Sequence, residues 1–191
     1  MFNERKAAQA AAFLLHCAGG RLPLLKLVKL LYLSERHSLN EYGDTITGDS
    51  FVAMKHGPVL SKTFDHINGD SSSVEGGWSA WVTPRQQNHD VALRNPSMIT
   101  TPEDAFLALS ETDIECLGEV WSHFGHMSRW ELVEYTHSQA CPEWKDPSGS
   151  SVPISLASIF KACGWSSEKI EMQTRRLGEQ RYISAAFHNL A

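Results

Sequence analysis

Residues 24–39 read LLKLVKLLYLSERHSL, and this stretch decides the fold class. Wound as an α-helix, it places a broad arc of apolar side chains opposite an arc of basic and polar ones. Pro23 directly precedes it, and proline suits the first turn of a helix. We therefore predict a helix from Leu24 to about Leu39 that is central to the fold. Its apolar arc comprises Leu24, Leu27, Val28, Leu31 and Tyr32.

Two residues of this predicted helix lie on the unexpected side. Glu35 falls within the apolar arc, where an isolated carboxylate would be costly to bury. We predict that Glu35 has a hydrogen-bonding or cationic partner, the simplest being an ion pair with a neighbouring helix. Leu33 falls within the basic arc, so it is predicted either to be covered by another element or to belong to a contact surface.

Capping and turn signals divide the rest of the chain. Ser110 and Ser128 each precede an acidic residue by three positions, which is the pattern of a helix capping box. Gly57-Pro58 marks a turn, with Pro58 starting a short helix. The fold class that follows is mainly α, a compact multi-helix single domain over residues 1–191 with a small β-hairpin or short antiparallel sheet. The predicted helices span residues 4–17, 24–39, 60–67, 111–124, 129–137, 156–164 and 167–190. The predicted strands span residues 78–83 and 91–94, and residues 68–77 are predicted to form a mobile loop.

The charge of the chain is negative overall and unevenly distributed. The formal net charge is −5, and residues 41–160 contain seventeen acidic but only six basic side chains. The acidic middle could pair with the bases of residues 1–40 inside the fold, or it could form a face for a basic protein partner. A net acidic chain has no general attraction to nucleic acid or anionic lipid, and no apolar run is long enough for a membrane span.

The first residues resemble a weak export signal. Glu4, Gln9 and His16 interrupt that pattern, so an alanine-rich helix capped by Asn3 is the better interpretation. We therefore predict a cytoplasmic location, in which the four widely spaced cysteines are reduced.

The sequence contains no motif that indicates an enzyme. It lacks GxSxG, a phosphate-binding glycine loop, HExxH and paired CxxC, so no catalytic residue, metal site or cofactor is predicted. His123 and His126 have helical spacing, but Gly125 is predicted to end the helix between them. One enzyme is kept as an alternative function, a hydrolase that uses Cys141 as its nucleophile and His137 as its base.

Direct DNA binding is the second alternative. The helix at 24–39 and the helix ending at Ile67 could imitate a helix-turn-helix, but the gap between them is too long for the usual short turn. The second helix offers only a few polar side chains to read bases. A DNA-binding transcriptional regulator of a prophage or mobile element therefore stays as the alternative function. The polar side chains in question are Ser61, Lys62, Thr63 and His66.

Three segments, taken together, resemble a known family. Residues 27–33, LVKLLYL, resemble the K-L-x-K-L-L-Y-x-A helix of the Panacea domain, the SocA-like antitoxin family. Residues 51–59, FVAMKHGPV, resemble its F-x-A-x-x-x-G-P-V segment. The chain departs from the family at Ser34-Glu35, where Ala or Gly often follows the tyrosine, and in a longer segment between His137 and Trp144. The third segment carries Leu109, Ser110, Leu117, Gly125, Ser128, Leu132, His137 and Trp144 in the family's order.

The resemblance implies a function in binding. Family members are antitoxins that neutralise a protein toxin by contacting it, and the SocA branch also delivers its toxin to a protease. The expected partners are therefore a cognate protein toxin and, by the SocA analogy, a protease complex, with no cofactor. We predict that Leu33, Trp78 and Trp81 are exposed contacts for the toxin. The motif residues predicted to maintain the scaffold are Lys29, Leu30, Leu31, Tyr32, Gly57, Pro58, Val59, His137 and Trp144.

Overall fold

The computed structural model describes residues 1–85 and 89–188 of the chain, and helices predominate in it. In chain order the helices are α1 Glu4–Cys17, α2 Leu24–Tyr42, α3 Ser61–Asn68, α4 Trp78–Trp81, α5 Pro102–Ala105, α6 Glu111–Phe124, α7 Arg129–His137, α8 Leu156–Ala162 and α9 Ser167–His188. The strands are β1 Arg21–Pro23, β2 Phe51–Met54, β3 Gly57–Leu60, β4 Asp90–Ala92 and β5 Val152–Ile154. The last two residues of the predicted helix 167–190 lie outside the described residues.

Helix α2 is the centre of the fold. Every residue from Leu27 to Glu35 is buried, and α1, α6, α7 and the β2–β3 hairpin pack against the helix. The prediction of a central helix is confirmed, although α2 continues to Tyr42 and ends at Gly43 in the left-handed conformation. The neighbouring α1 is buried from Ala7 to Leu15 and is rich in alanine, which allows two helices to approach closely.

The strands form two small antiparallel sheets. In one, β1 pairs with β4, so that Leu22 lies opposite Val91. In the other, the order is β3-β2-β5, and Phe51 lies between Leu60 and Ile154. Together with the helices these sheets give the mainly α single-domain fold that the sequence predicts.

The segment 57–59 is a strand and not the start of a helix. Pro58 lies in β3 opposite Ala53, so the prediction that it starts a helix is wrong. Helix α3 begins at Ser61, and its first N–H groups are capped from a distance by Asp49. The Asp49 carboxylate accepts hydrogen bonds from the backbone N of Lys62 at 3.0 Å and of Thr63 at 2.8 Å.

The predicted strand 78–83 is also wrong. Residues Trp78–Trp81 form the helical turn α4, and only Val82 makes an isolated bridge, to Leu93. The start of this turn is fixed by α1, because the Glu4 carboxylate accepts a hydrogen bond from the Trp78 backbone N at 2.8 Å. The other predicted strand, 91–94, overlaps β4.

The two predicted capping boxes are confirmed. In α6 the Ser110 side chain accepts from the backbone N of Asp113, and the Asp113 carboxylate accepts from the backbone N of Ser110. In α7, Ser128 and Glu131 make the same reciprocal pair. Both signals lie within four residues of sequence, so they need no tertiary contact.

Glu35 is buried with hydrogen-bonding partners, and within residues 1–85 and 89–188 no ion pair involves it. Its carboxylate accepts from the backbone N of Ile46 and of Thr47, each at 2.8 Å, and from the Thr47 hydroxyl. The prediction of a hydrogen-bonding partner is confirmed, and the simpler guess of an ion pair with a helix is wrong. Burial raises the pKa of Glu35 to about 7, although these hydrogen bonds act in the opposite direction. Glu35 thus ties the loop after α2 to the core.

The segment 68–77 starts at the last residue of α3 and is irregular after Asn68. It is attached to α1, because the Glu4 carboxylate also accepts from the Ser73 hydroxyl at 2.6 Å and from the Val74 backbone N. The mobility of this loop stays a prediction. Among the described residues, no helix combines the length and the apolar character that crossing a membrane requires.

Candidate functional site

The motif residue Lys29 is completely buried at the contact between α2 and the β2–β3 hairpin. Its side chain is 0% exposed, and its Nζ donates to the Pro58 carbonyl oxygen at 2.8 Å. Burial lowers the pKa of Lys29 to about 7, because the ammonium loses its water and gains no carboxylate among the described residues. Gly57 makes room for this contact. A Cβ at Gly57 would lie 2.8 Å from Lys29 Nζ and from Thr136 Oγ1.

A second buried contact joins α2 to the segment after α7. The Tyr32 hydroxyl donates to Glu143 Oε1 at 2.5 Å, and Arg36 Nε donates to the same oxygen at 2.7 Å. Arg36 also donates to the Ala140 carbonyl oxygen at 2.9 Å. The Glu143 side chain is fully buried and its carboxylate has lost its hydration. The hydrogen bonds from Arg36 and Tyr32 compensate for that loss.

The third contact is aromatic. The rings of His137 and Trp144 stack with centroids 3.8 Å apart and planes within 6° of parallel. Trp144 Nε1 donates to the Met54 carbonyl oxygen at 3.1 Å, which links the segment after α7 to β2. Burial lowers the pKa of His137, and the nearby Lys29 adds to this.

The three contacts form one group, which we call the motif cluster. It brings together motif residues that are far apart in sequence, all of them buried or half-buried, as a scaffold role requires. Sequence reasoning missed Arg36, Thr136 and Glu143 as members. One signal in the sequence pointed to Glu143, its position directly before the motif residue Trp144. The cluster consists of Lys29, Tyr32, Arg36, Gly57, Pro58, Thr136, His137, Glu143 and Trp144.

The same stretch of chain matches a protein family. The family model described as antitoxin SocA-like, Panacea domain, matches residues 27–145, which is more than half of the 191 residues. The chain belongs to this family. The matched part of the Panacea domain contains every residue of the motif cluster. A search of curated proteins and a search of solved structures each found no match.

The Panacea domain also carries a groove between α2, α6, α7 and α8, which we call the α2 groove. Its cavity measures about 440 Å³. The floor is apolar. It includes Phe124 and Tyr135, whose rings meet edge to face with their centroids 4.9 Å apart. One wall is polar, with His37 Nε2 2.7 Å from Glu119 Oε2. The lining residues are Leu33, Arg36, His37, Asn40, Glu119, Val120, His123, Phe124, Tyr135, Ala162 and Cys163.

The residues predicted as exposed toxin contacts are mostly covered. Leu33 is 4% exposed and Trp78 is 5% exposed, so the expected exposure is wrong for both. Trp81 is half-buried, with its ring 5.5 Å from that of Phe106. Leu33 lies at the α2 groove, whereas the two tryptophans lie on α4, which packs against α1. The structure therefore does not bring the three into one surface, and toxin contact by any of them stays a prediction.

The alternative nucleophile is not prepared for catalysis. Cys141 is buried, burial raises the pKa of its thiol to about 12, and no hydrogen bond joins it to His137 in the described part of the chain. A thiol with such a pKa is protonated at neutral pH and is a poor nucleophile. Residues 1–85 and 89–188 also contain no group of three His, Cys, Asp or Glu side chains placed to hold a metal ion.

The helix-turn-helix alternative finds no support in the geometry. The β2–β3 hairpin separates α2 from α3, so the two helices do not form that unit. Of the side chains on α3 that could read bases, Thr63 and His66 are buried, and the Thr63 hydroxyl donates to Asp49. A recognition helix needs these side chains to face the DNA.

The buried lysine leads to a pH prediction. Between pH 7 and 9 the unfolded chain keeps a proton on Lys29 that the folded chain has lost, so this group makes stability rise with pH. We expect the free energy of unfolding of the wild type, relative to that of Lys29→Met, to rise by about 2 kcal/mol over this range. Guanidinium denaturation at both pH values measures it. Lys55→Met, at an exposed lysine, is the matched control, and an equal pH response in Lys29→Met and Lys55→Met would contradict the argument.

Proposed function

We propose that this chain is an antitoxin that neutralises a protein toxin by binding it directly, without catalysis of its own and in the cytoplasm. The observation that carries the proposal is the family match over residues 27–145. It is supported by the motif cluster, in which these residues meet as interior contacts and leave the surface of the domain to bind a partner.

The proposal predicts a specific rescue of growth. The toxin is expected to be the product of the reading frame next to this gene, and its induction should stop growth. Co-expression of the chain should restore growth, and the two proteins should elute together in size-exclusion chromatography. Rescue without any detectable complex would contradict neutralisation by binding.

Delivery to a protease is a finer form of the same proposal, by analogy with the SocA branch. It predicts that the amount of toxin in the cell falls when the chain is co-expressed. Simple occlusion predicts that the toxin persists in a complex. Immunoblotting of the toxin after translation is blocked separates the two, because a half-life that the chain leaves unchanged excludes delivery.

A further inference from the structure

The α2 groove has the form of a site for a protein side chain. Its apolar floor includes Leu33 and Val120, which are buried, beside the half-buried Phe124 and Tyr135. Its volume of about 440 Å³ is that of a cleft able to enclose a drug-sized group, since small-molecule pockets measure about 300–1,000 Å³. Interface energies concentrate where a large side chain fills such a pocket. The groove can therefore accept one or two large apolar side chains of a partner.

The edge of the groove on the α2 and α6 side is acidic. Glu119 is 50% exposed beside the groove, and Glu115, one turn earlier on α6, accepts a hydrogen bond from the exposed Tyr42 hydroxyl at 2.9 Å. Glu41 is exposed near the end of α2 and directly precedes Tyr42, the residue that bonds Glu115. The three carboxylates thus occupy adjoining positions on two neighbouring helices.

Among the described residues, no cation lies within ion-pair distance of Glu41 or Glu115. Arg36 is held by Glu143 in the motif cluster, so its charge is already matched by a buried carboxylate. His37 is paired with Glu119. Lys161 is exposed on α8, next in sequence to the lining residue Ala162. The local charge therefore selects a partner whose basic residues meet the α2 and α6 edge.

We propose that the α2 groove is the toxin-docking surface, and that it takes a segment of the toxin in which a large apolar or aromatic side chain is flanked by arginine or lysine. The apolar side chain enters between Leu33, Val120 and Phe124, and the basic residue meets Glu41, Glu115 and Glu119. This inference rests on the proposed antitoxin function and adds the surface and the chemistry of the partner.

Substitutions in the groove test the inference with the purified product of the neighbouring reading frame as the probe. Glu115→Lys/Glu119→Lys reverses the edge, and Ala162→Phe fills the groove. Each is expected to raise the Kd for this protein at least tenfold in isothermal titration calorimetry. The controls are Glu75→Lys, an exposed carboxylate in the loop 68–77, and Ala80→Phe on α4, which should change the Kd less than twofold.

The salt dependence of the association rate tests the same surface independently. The association rate of the wild type should fall as sodium chloride is raised, because opposite charges steer the encounter. In the variant Glu115→Lys/Glu119→Lys, the association rate should fall less steeply with salt or should rise with it. Salt-insensitive association of the wild type would refute the acidic edge as the basis of recognition.

A chemical probe on the unmodified protein keeps the test valid if a variant fails to fold. Cys163 lines the groove and Cys17 ends α1; both are half-buried, and burial raises the pKa of both thiols. Bound toxin should slow the alkylation of Cys163 by N-ethylmaleimide at least tenfold and leave Cys17 unaffected, as followed by peptide mass spectrometry. A toxin that binds the wild type but neither protects Cys163 nor responds to the groove variants overturns the docking surface alone. A wild type that binds no toxin overturns the antitoxin function itself.

Discussion

Replacement of Glu143 with alanine is expected to lower the free energy of unfolding by about 3–5 kcal/mol. The buried carboxylate is the shared acceptor of Tyr32 and Arg36, so its removal leaves a guanidinium and a phenol with no partner for those bonds in a site sheltered from water. Most of the loss comes from these unmatched groups, because a mutually compensated buried pair often contributes little net stability. Urea denaturation followed by circular dichroism measures it.

Two further variants separate charge from geometry in this prediction. Glu143→Gln keeps an acceptor oxygen of the same shape, so we expect a smaller loss of about 1–3 kcal/mol. Glu119→Ala removes the exposed partner of His37, and such a pair contributes about 0–1 kcal/mol. If Glu143→Ala proved no more destabilising than Glu119→Ala, Glu143 would not be the anchor that the structure indicates.

The second large effect is expected at Gly57. Its φ is +97°, a left-handed conformation that costs about 1–2 kcal/mol for a residue with a Cβ. The added methyl would also press on Lys29 and Thr136 in the motif cluster, and overpacking of this kind costs about 1–3 kcal/mol. We therefore expect Gly57→Ala to lower the free energy of unfolding by about 3–4 kcal/mol, measured by the same urea denaturation.

Gly69 offers a matched control for Gly57. It has φ of +82° at the end of α3, but a Cβ there would meet nothing within 4 Å. Gly69→Ala should show the conformational cost alone, about 1–2 kcal/mol. Equal losses at the two glycines would mean that the close approach of Lys29 to the hairpin adds nothing to the requirement for glycine.

Local signals in the sequence predicted local structure well. The capping boxes at Ser110 and Ser128 set the starts of α6 and α7, because each is complete within one turn of helix. Gly57-Pro58 was misinterpreted because its conformation depends on pairing with β2 and on the hydrogen bond from Lys29. Residues 78–83 were misinterpreted for a similar reason, since Glu4, more than seventy residues earlier, fixes the start of α4.

The candidate site shows the same division between local and distant information. The motif residues were predicted as scaffold, and Lys29 and Tyr32 are indeed buried. Glu143 was not predicted, because its bond to Arg36 joins residues that are 107 positions apart. The exposure of Leu33 was misjudged because a helical projection treats α2 alone, whereas residues of α6 and α8 line the groove beside Leu33. The α2 groove is likewise a product of packing, with residues from four helices, and no single stretch of sequence indicates it.

The account depends most on direct binding between this chain and its toxin. Isothermal titration calorimetry of the purified chain into the purified product of the neighbouring reading frame, with no protease present, tests it most directly. The account predicts saturable binding at a fixed ratio, with a Kd of about 1 μM or tighter. Growth rescue by a chain that gives no binding heat and forms no complex with that protein would contradict it.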